Sequence, residues 1–486
     1  MEPIRINNFH KGQSSSPYVA DGAYAKAANL DVFSQLGIAR INYLPTKESG
    51  TTITATPTCF AADPANASRL YVADSGGETY VSTDRGDSWA ALTANKGQYI
   101  VVWKDHLIAV GHTSAINTYG PLSGTPAWLA IGSTTNVADF IFVSENDDKV
   151  YILHNNKVDT LEEVAGQDFD DATGGTFTLS AGVLTLPEGY EGICLSEQKE
   201  NILIGAYSGL SGAKLKKATI FVWDRGTTSY SFPVRIPEPS INAMLNVGNR
   251  VYVSTGRDGK IYLFSESGLQ LYAQIPQDYD ARKDCEVARY GLGWWRGKLI
   301  VATKTVNIAN SLPTGLYGIR DGAVNCEHLI ASGEDGGSDF LEIGAVYSID
   351  TGVDDVLLMG YYDKQSTAYA IDRITDNHNR VASYGAYFES LFYRIGTPTN
   401  QESARKIDIQ LARPLQTGEG VRISYREDIN AAWTTLGTFD YTTYGAHSSF
   451  PMNFGKKDIR NLQIKCELTT GATSKNTPYL YELIIY

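Results

Sequence analysis

The sequence has no uninterrupted apolar run near the roughly 18 residues that a membrane-spanning helix needs, so we expect no membrane insertion. The first ten residues also lack the apolar core of a signal peptide. Cysteine is scarce and forms no CxxC pair, and the five cysteines are Cys59, Cys194, Cys285, Cys326 and Cys466. This usage predicts reduced, mostly buried thiols in a protein made in the cytosol.

The sequence is also poor in the patterns of metal and cofactor sites. Its seven histidines include no HExxH motif, and His106 and His112, across one predicted hairpin, have no third ligand in the sequence pattern. Two acidic stretches lack the spacing of a calcium loop, and we interpret both as solvated loops; their carboxylates are Asp168, Asp170 and Asp171, and Glu334, Asp335 and Asp339. No phosphate-binding loop or nucleophile elbow is present, so we expect no cofactor, no metal and no catalytic residue.

Positive charge is in deficit. Lysine and arginine total 41 against 54 aspartates and glutamates, which gives a formal net charge of −13 and a pI of about 5.1. A chain with this balance is a poor candidate for coating phosphates, so we expect no specific binding of nucleic acid. The length of 486 residues and the hydrophobic content of 43% are those of a folded protein, either with about two to four domains or with one large β domain and a smaller one.

Short apolar runs recur through the middle of the chain, each preceded by a small polar turn and by another apolar stretch. They begin at residues 70, 107, 150, 202, 251, 299 and 356. The runs are too short for helices and rich in β-branched and aromatic residues, which favours strands. A period of roughly 40–50 residues with several strands per unit is typical of a β-propeller, and seven starts predict seven blades. An elongated array of β-sandwiches is the alternative.

One predicted turn carries the Asp-box pattern S-x-D-x-G-x-[ST]-W. The matching residues are Ser82, Asp84, Gly86, Ser88 and Trp89. The Asp carboxylate can accept backbone N–H bonds within a hairpin, Gly supplies a positive φ, and Trp packs beneath the turn. This box occurs in propellers of many functions, so it indicates a blade and carries almost no information about catalysis.

The C-terminal hundred residues show clean period-two alternation. Examples are Ile407, Ile409 and Leu411, and a final stretch that alternates through Tyr479, Tyr481, Leu483 and Ile485. Sheets with one buried face and one solvent-exposed face predict an antiparallel β-sandwich. The expected fold class is therefore all-β, with a propeller followed by a sandwich.

These patterns divide the chain into three parts. They are an N-terminal arm (1–50), a β-propeller (51–384) and a β-sandwich (385–486). Within the arm, the stretch 38–44 predicts a strand that pairs with the last blade and closes the ring. Within the propeller, the segment 168–188 predicts a loop insertion that holds a small hairpin through residues 176–179 and 182–186.

Strings at both ends of the chain carry a family resemblance. They are SPY (16–18), NLDV (29–32) and LGIA (36–39) near the start, and KIDIQLARPL (406–415), VRISYR (421–426) and WTTLG (433–437) near the end. They resemble strings of tail-associated virion proteins of bacteriophages, a group in which a propeller-like middle is followed by a sandwich. The resemblance implies a ring-forming tail component, such as a nozzle, hub or tip, and it implies no catalytic residues.

A glycoside hydrolase of the sialidase type is one rival. The string Val234-Arg235-Ile236-Pro237 is similar to the [FY]-R-I-P string of sialidases, whose arginine clamps a substrate carboxylate. Here the string follows the Asp box, which reverses the sialidase order, and Val234 replaces the aromatic residue. Such an enzyme would need an arginine cluster that faces two carboxylates in the central pocket of the propeller.

A protein that binds a host receptor or carbohydrate is the other rival. Trp294 and Trp295 offer rings that could stack on a sugar. We favour a different interpretation, in which one ring is buried in a strand and the other lies at an interface. An exposed pocket lined by aromatic residues would support glycan binding.

The sequence therefore predicts a non-enzymatic structural protein of the virion tail, made in the host cytoplasm. The expected partners are other copies of the chain in a ring and other tail or portal-proximal proteins. In the receptor-binding alternative, the partner is a glycan of the host surface.

Overall fold

The computed structural model of the protein describes residues 3–486 with gaps. The positions outside the description are 48, 51–52, 94, 170–175, 209–216, 277–283, 305–314, 330–340, 351–354, 364–366, 377, 382–384, 396–403, 456–458, 460 and 472–474. The described residues are nearly all β-structure, with one single-turn helix, α1 (Tyr441–Tyr444), and one turn of 3-10 helix (Phe9–Lys11). No helix in this described part has the length and hydropathy that crossing a membrane requires.

The first fifty residues contribute short strands to several sheets. Those that the structure describes are β1 (Ile4–Ile6), β2 (Tyr24–Ala28), β3 (Leu30–Asp31), β4 (Arg40–Ile41), β5 (Thr46–Lys47) and β6 (Ser49–Gly50). β3 pairs with β4, and β6 pairs in parallel with a strand of the next segment. The remaining strands of this arm pair with partners hundreds of residues away.

The described residues between 57 and 374 form seven consecutive groups of strands, and within a group each strand pairs antiparallel with the next. In chain order the strands are β7 (Pro57–Asp63), β8 (Asn66–Asp74), β9 (Thr79–Ser82) and β10 (Ser88–Thr93); β11 (Tyr99–Trp103), β12 (His106–Val110), β13 (Ala115–Gly120) and β14 (Ala127–Ser133); β15 (Phe140–Val143), β16 (Val150–His154), β17 (Lys157–Glu163) and β18 (Phe177–Thr185); β19 (Tyr190–Gln198), β20 (Asn201–Ser208), β21 (Lys217–Trp223) and β22 (Phe232–Arg235); β23 (Ile241–Val247), β24 (Arg250–Thr255), β25 (Lys260–Ser265) and β26 (Gly268–Gln274); β27 (Glu286–Trp295), β28 (Lys298–Lys304), β29 (Gly315–Arg320) and β30 (Ala323–Leu329); and β31 (Leu341–Asp350), β32 (Asp355–Asp363) and β33 (Ala368–Ile374).

The first strands of the seven groups contact one another in a closed cycle. β7 contacts β11, β11 contacts β15, and the series continues through β19, β23, β27 and β31 back to β7. Each apolar run that indicated the repeat lies in the second strand of its group. These second strands are apolar throughout because neighbouring groups cover both of their faces. The middle of the chain is therefore propeller-like, with its strand groups around a common axis.

The seventh group obtains its fourth strand from the N-terminal arm. β5 pairs antiparallel with β33, with Lys47 opposite Asp372 and Thr46 opposite Arg373. The sequence placed this strand at residues 38–44, which is wrong. Those residues pair elsewhere, because their apolar side chains are buried at the contact with the C-terminal sheets, whereas the strand that closes the ring is exposed on its outer edge.

The C-terminal strands form two sheets with the arm. They are β34 (Ala386–Ser390), β35 (Tyr393–Arg394), β36 (Lys406–Leu411), β37 (Gly420–Arg426), β38 (Thr434–Asp440), β39 (Ser449–Asn453), β40 (Asn461–Thr469) and β41 (Leu480–Ile485). One sheet has the order β1-β41-β36-β39, and the other has the order β2-β34-β40-β37-β38 with β35 paired to β40. Apolar residues of both sheets and of the arm share one buried core.

The last strand departs from the predicted alternation. Leu483 and Ile485 are buried as expected, but Leu480 is buried too, and Tyr481 is 48% exposed. The cause is a register shift against β36, which makes Tyr481 the extra residue of a β-bulge. The bulge turns Tyr481 to the solvent, where the alternation had placed it in the core.

The hairpin predicted within residues 168–188 is wrong in its described part. β18 is one continuous strand that pairs with β17 along its length, with a register shift in the middle. Gly182 lies at this shift with a φ of +61°, and its N–H donates to Asp159 Oδ1 at 2.7 Å. Because a side-chain carboxylate satisfies that N–H, the strand bulges at Gly182 and does not reverse.

The prediction of buried thiols is confirmed. All five cysteines are free and buried. Burial raises the pKa of Cys59, Cys194, Cys285 and Cys326 to about 12, and it raises the pKa of Cys466 further. Thiols held in this neutral form are poor nucleophiles and poor metal ligands.

A buried polar network fastens the arm to the sixth strand group. Lys298 Nζ lies 2.8 Å from Glu327 Oε2, and Asn42 Nδ2 donates to the same oxygen at 2.7 Å. The side chains of Lys298 and Glu327 are 3% and 0% exposed. Burial raises the pKa of Glu327, and it outweighs the positive charge of Lys298. We call Asn42, Lys298 and Glu327 the arm joint.

The surroundings of the arm joint add further bonds between the arm and β30. Tyr24 donates from its hydroxyl to Asn325 Oδ1 at 2.7 Å, and Asn325 Nδ2 donates to the carbonyl of Leu30 at 2.7 Å. Asp31 pairs with Arg40 at 2.8 Å. Burial opposes ionisation of Asp31, but the charges of Lys298 and Arg40 outweigh it and hold its pKa well below the usual range. The arm therefore lies on β30 as a fixed layer.

Replacing Lys298 with Met should test the arm joint. The change leaves the Glu327 carboxylate buried without its cation, so we expect the free energy of unfolding to fall by about 3–5 kcal/mol. The double variant Lys298→Met/Glu327→Leu should recover most of this loss. Urea unfolding followed by tryptophan fluorescence measures both variants. A single variant as stable as the original protein would contradict the ion pair.

Candidate functional site

The Asp-box residues form the turn between β9 and β10. The Ser82 hydroxyl donates to Asp84 Oδ1 at 2.7 Å and accepts from the Gly86 N–H at 2.8 Å. The Ser88 N–H donates to Asp84 Oδ1 at 2.9 Å. Gly86 has a φ of +87°, and Trp89 is buried beneath the turn. Asp84 Oδ1 therefore accepts hydrogen bonds from two residues of its own turn.

The electrostatics of Asp84 follow from these bonds. Burial opposes ionisation, but the hydrogen bonds from Ser88 and Ser82 outweigh it and lower the pKa of Asp84. A carboxylate held in its ionised form by its own turn is suited to fixing backbone geometry. It is not poised to exchange protons near neutral pH.

The same turn touches the seventh strand group. Gly86 lies so close to Leu358 of β32 that an added Cβ would meet Leu358 Cδ2 at 2.8 Å. The carboxylate of Asp87 pairs with the guanidinium of Arg373 on β33. Arg373 is 8% exposed. The Asp box thus lies at the seam where the first and seventh groups meet.

The two neighbouring tryptophans lie in different contacts: Trp294 packs between the fifth and sixth groups, and Trp295 packs in the core that the sixth and seventh groups share. Trp295 is 3% exposed, and the guanidinium carbon of Arg296 lies 4.4 Å from its ring centroid. Trp294 is half-buried and stacks on Tyr252 of β24, with the ring centroids 6.0 Å apart. The interface that Trp294 occupies is therefore internal to the chain.

β27 widens into a bulge near the axis of the ring. Val287 pairs with Thr303 and Leu292 pairs with Val301, so the residues 288–291 lie opposite a single residue of β28. A bulge of this size moves the backbone out of the ladder. It carries Arg289 and Tyr290 toward the first strands of other groups.

Tyr290 closes the centre of the ring. Its ring stacks on Phe140 of β15 at 4.6 Å and on Tyr99 of β11 at 5.9 Å. Its hydroxyl donates to the carbonyl of Ile141 at 3.1 Å. Because this one side chain of the sixth group contacts the first strands of the second and third groups, it lies across the axis.

A small cavity adjoins the side chain of Tyr290, which we call the plug. It has a volume of about 370 Å³, and its polar lining includes Thr58, Ser75, Tyr99, Arg289 and Glu342. Arg289 Nη1 donates to Tyr99 Oη at 3.2 Å. Among the described residues that line the cavity, Arg289 is the only arginine and Glu342 the only carboxylate. This set differs from the arginine cluster and carboxylate pair that the sialidase alternative requires.

The other residues considered for chemistry are dispersed. Arg235 is exposed at the end of β22, the fourth strand of its group, opposite Thr219. His106 begins β12, and His112 lies beyond the end of that strand. Within the described residues no group of three or more His, Cys, Asp or Glu could hold a metal ion.

The two acidic stretches lie almost wholly outside the described residues. Asp168 is described and exposed. The remaining carboxylates fall in undescribed segments and are Asp170, Asp171, Glu334, Asp335 and Asp339.

The fourth strands of several groups expose large apolar side chains. Leu129 on β14 is 42% exposed, Phe232 on β22 is 52% exposed, and Leu271 on β26 is 53% exposed. Each of these strands is the last of its sheet over the described residues. We call Leu129, Phe232 and Leu271 the apolar rim. The corresponding strand of the sixth group, β30, is instead covered by β2 and β3.

Sequence patterns did not single out the plug or the rim, although weak signals exist for both. Gly291 and Gly293 interrupt an apolar strand, which is typical of a bulge. Pro233 follows Phe232, and proline in a strand indicates an edge. Neither signal tells which group a bulged side chain reaches, because that depends on packing across the whole ring.

Comparisons with known proteins return similar structures but no relatives. No protein-family model and no curated protein matches the chain. The structure of U3-55K is 11% identical, with 67% of this chain and 97% of that chain covered and a TM-score of 0.46. The WD40 repeats of RRP9 are 10% identical, with 68% and 99% covered and a TM-score of 0.45. The computationally designed Ika8 protein is 13% identical, with 67% and 99% covered and a TM-score of 0.40. At these scores the likeness supports no inference about function.

Replacing Asp84 with Asn should destabilise the protein in a pH-dependent way. Because its pKa is lowered by folding, Asp84 stabilises the fold above its unfolded pKa of 3.8, and this contribution is lost as the pH falls through the folded value. We expect a loss of about 1 kcal/mol at pH 7, since the turn is exposed. Unfolding at pH 7 and pH 3 measures it, and a difference that does not shrink on acidification would contradict the assignment.

Replacing Tyr290 with Ala should open the centre of the ring. The lost ring contacts and the cavity left behind should lower the free energy of unfolding by about 3–5 kcal/mol. Tyr290→Phe keeps the stacking and loses only the hydroxyl bond, so it should cost about 1 kcal/mol. Thermal unfolding compares both with Tyr481→Ala, an exposed tyrosine outside the ring. Equal effects of the three substitutions would contradict an axial position.

Proposed function

We propose that the protein is a non-enzymatic structural component of a bacteriophage virion that forms a ring in the tail. Its body is a seven-bladed β-propeller, and a β-sandwich follows it. The strings at both ends of the chain support the virion role, because they resemble those of tail-associated proteins. The closed cycle of first strands supports the propeller, and the single core between two C-terminal sheets supports the sandwich.

The observation that carries ring formation is the apolar rim. Leu129, Phe232 and Leu271 lie on fourth strands, about half exposed, with one edge of each strand free of a described partner. Apolar side chains at sheet edges suit burial against a second protein surface. A rigid propeller body gives a wedge-shaped protomer, and copies that pack through this rim close into a ring.

The charge distribution fits a conduit. The segment 51–384 contains 25 basic and 40 acidic residues, and the rest of the chain contains 16 basic and 14 acidic residues. The negative charge of the chain therefore belongs to the propeller segment. A wall of that charge repels DNA and does not retain it.

The position of Tyr290 bears on where DNA would pass in this proposal. The aromatic side chain of Tyr290 and its neighbours block the axis of each propeller. DNA would therefore pass through the centre of the assembled oligomer and not through the centre of one copy. In this proposal the arm and the sandwich contact neighbouring tail proteins.

The mass of the purified protein tests ring formation. Light scattering should give a fixed multiple of 53.0 kDa for the protein alone, or, after mixing with its tail neighbours, a complex with a fixed number of copies of the chain. Electron microscopy of particles that carry the labelled protein should place it at the tail. A protein that stays monomeric with its neighbours present and is absent from particles would overturn the proposal.

Charged substitutions at the rim test the interface. Phe232→Glu and Leu271→Glu should each weaken association at least about tenfold, because apolar burial is lost and a carboxylate is desolvated. The matched control is Val137→Glu, which changes an equally exposed residue outside the fourth strands. Equal effects of all three variants would place the interface elsewhere.

A further inference from the structure

The one α-helix among the described residues, α1, holds Tyr444 beside an edge of the C-terminal sheets. α1 begins after Asp440, whose Oδ1 accepts from the Thr443 N–H at 2.7 Å. It ends at Gly445, which has a φ of +68° and donates its N–H to the carbonyl of Tyr441 at 2.7 Å. A single turn closed at both ends holds its last residue, Tyr444, in one place.

Tyr444 belongs to a cluster of rings. Its centroid lies 4.9 Å from that of Phe439 and 5.9 Å from that of Phe450. Phe439 and Phe450 lie 4.8 Å apart, and His447 lies 6.3 Å from Phe450. Phe439 and Phe450 are buried, whereas Tyr444 is 42% exposed and His447 is exposed. The buried rings therefore form a base that supports two exposed ones.

A pocket of about 470 Å³ opens beside these rings, between β38 and β39. Over the described residues, each of these strands is one edge of its C-terminal sheet, opposite the edge that the arm provides. Gly437 lets Met452 approach this wall closely, since a Cβ there would meet Met452 Cε at 3.2 Å. The volume lies in the range of small-molecule sites. We call this site the aromatic pocket, with the lining Phe439, Tyr444, His447, Phe450, Met452 and Asn453.

The lining defines the chemistry of an occupant. No Asp, Glu, Lys or Arg is among the described residues that line the pocket. Apolar ring faces alternate with hydrogen-bonding groups, which are the Tyr444 hydroxyl, the His447 imidazole, Thr438, Ser449 and Asn453. A pyranose ring has the matching character, because its C–H face packs on an aromatic ring while its hydroxyls bond to polar groups at the rim.

An added peptide strand fits this site less well. β39 is an edge strand, and it contains Pro451. Proline has no N–H to donate to a ladder, so its nitrogen faces the free edge and removes a bond that a new strand would need. Proline at an edge is a common protection against strand addition.

We propose that the aromatic pocket binds an uncharged carbohydrate. Tyr444 packs against the sugar ring, and His447 and Asn453 bind its hydroxyls. The site lies away from the apolar rim in the sequence and in the sheets, so this proposal does not rest on ring formation.

Saturation-transfer NMR on the full-length protein tests the site. The probes are maltotriose, cellotriose and chitotriose, which are uncharged, and 3′-sialyllactose, which carries a carboxylate. We expect transfer to at least one uncharged saccharide and little transfer to sialyllactose. Absence of transfer to all three uncharged saccharides would overturn the proposal, as would sialyllactose binding as tightly as they do.

Substitutions in the aromatic pocket test whether the saccharide binds there. Tyr444→Ala should weaken binding of the responding saccharide about tenfold, and His447→Ala should weaken it severalfold. Tyr444→Phe should retain most of the affinity, which distinguishes lost stacking from misfolding. The matched controls are Tyr481→Ala and Tyr486→Ala, which remove equally exposed tyrosines outside the pocket. Equal losses in the controls, or unchanged binding by Tyr444→Ala, would overturn the assignment.

Discussion

The buried pair of Lys298 and Glu327, with Asn42 bound to the same carboxylate, decides how the rest of the chain is arranged. It fixes the arm against β30, and from there the arm reaches both the C-terminal sheets and the last strand group. β1 and β2 then complete the two C-terminal sheets, and β5 completes the seventh group. The arm contributes the Asn42 amide to this network, and moving the arm away would leave the buried Glu327 carboxylate with one hydrogen bond fewer. The arm is therefore a structural fastener between the two main parts of the protein.

Local patterns predicted much of this fold, and long-range packing accounts for what they missed. The seven apolar runs were correctly predicted as strands, because a continuous apolar run indicates a strand that is buried on both faces. The inner face of β36 was also predicted, as at Ile407 and Ile409, since alternation indicates burial on one face. The prediction that Tyr481 is buried was wrong because a bulge depends on the register of a distant strand. Arg289 and Tyr290 escaped it because their partners lie across the ring.

The residues singled out for chemistry serve the ring itself. The Asp box spans the seam between the first and seventh groups through Gly86 and Asp87. Trp294 fills the contact between the fifth and sixth groups. Tyr290, which sequence patterns did not single out, fills the axis. In this protein the Asp box contributes to the contact between the first and seventh groups.

The pairing of β1 with β41 also bears on how the protein is made. Ile4 lies opposite Ile485, so one partner leaves the ribosome long before the other is synthesised. At about 5–20 residues per second, the first strand waits for roughly 25–100 s. The strand groups between β7 and β30 pair locally and can form during that time, whereas β1 and β2 still await their partners β41 and β34. The sheet that contains β1 therefore closes only after the strand groups have been synthesised, so the order of synthesis favours local pairing first.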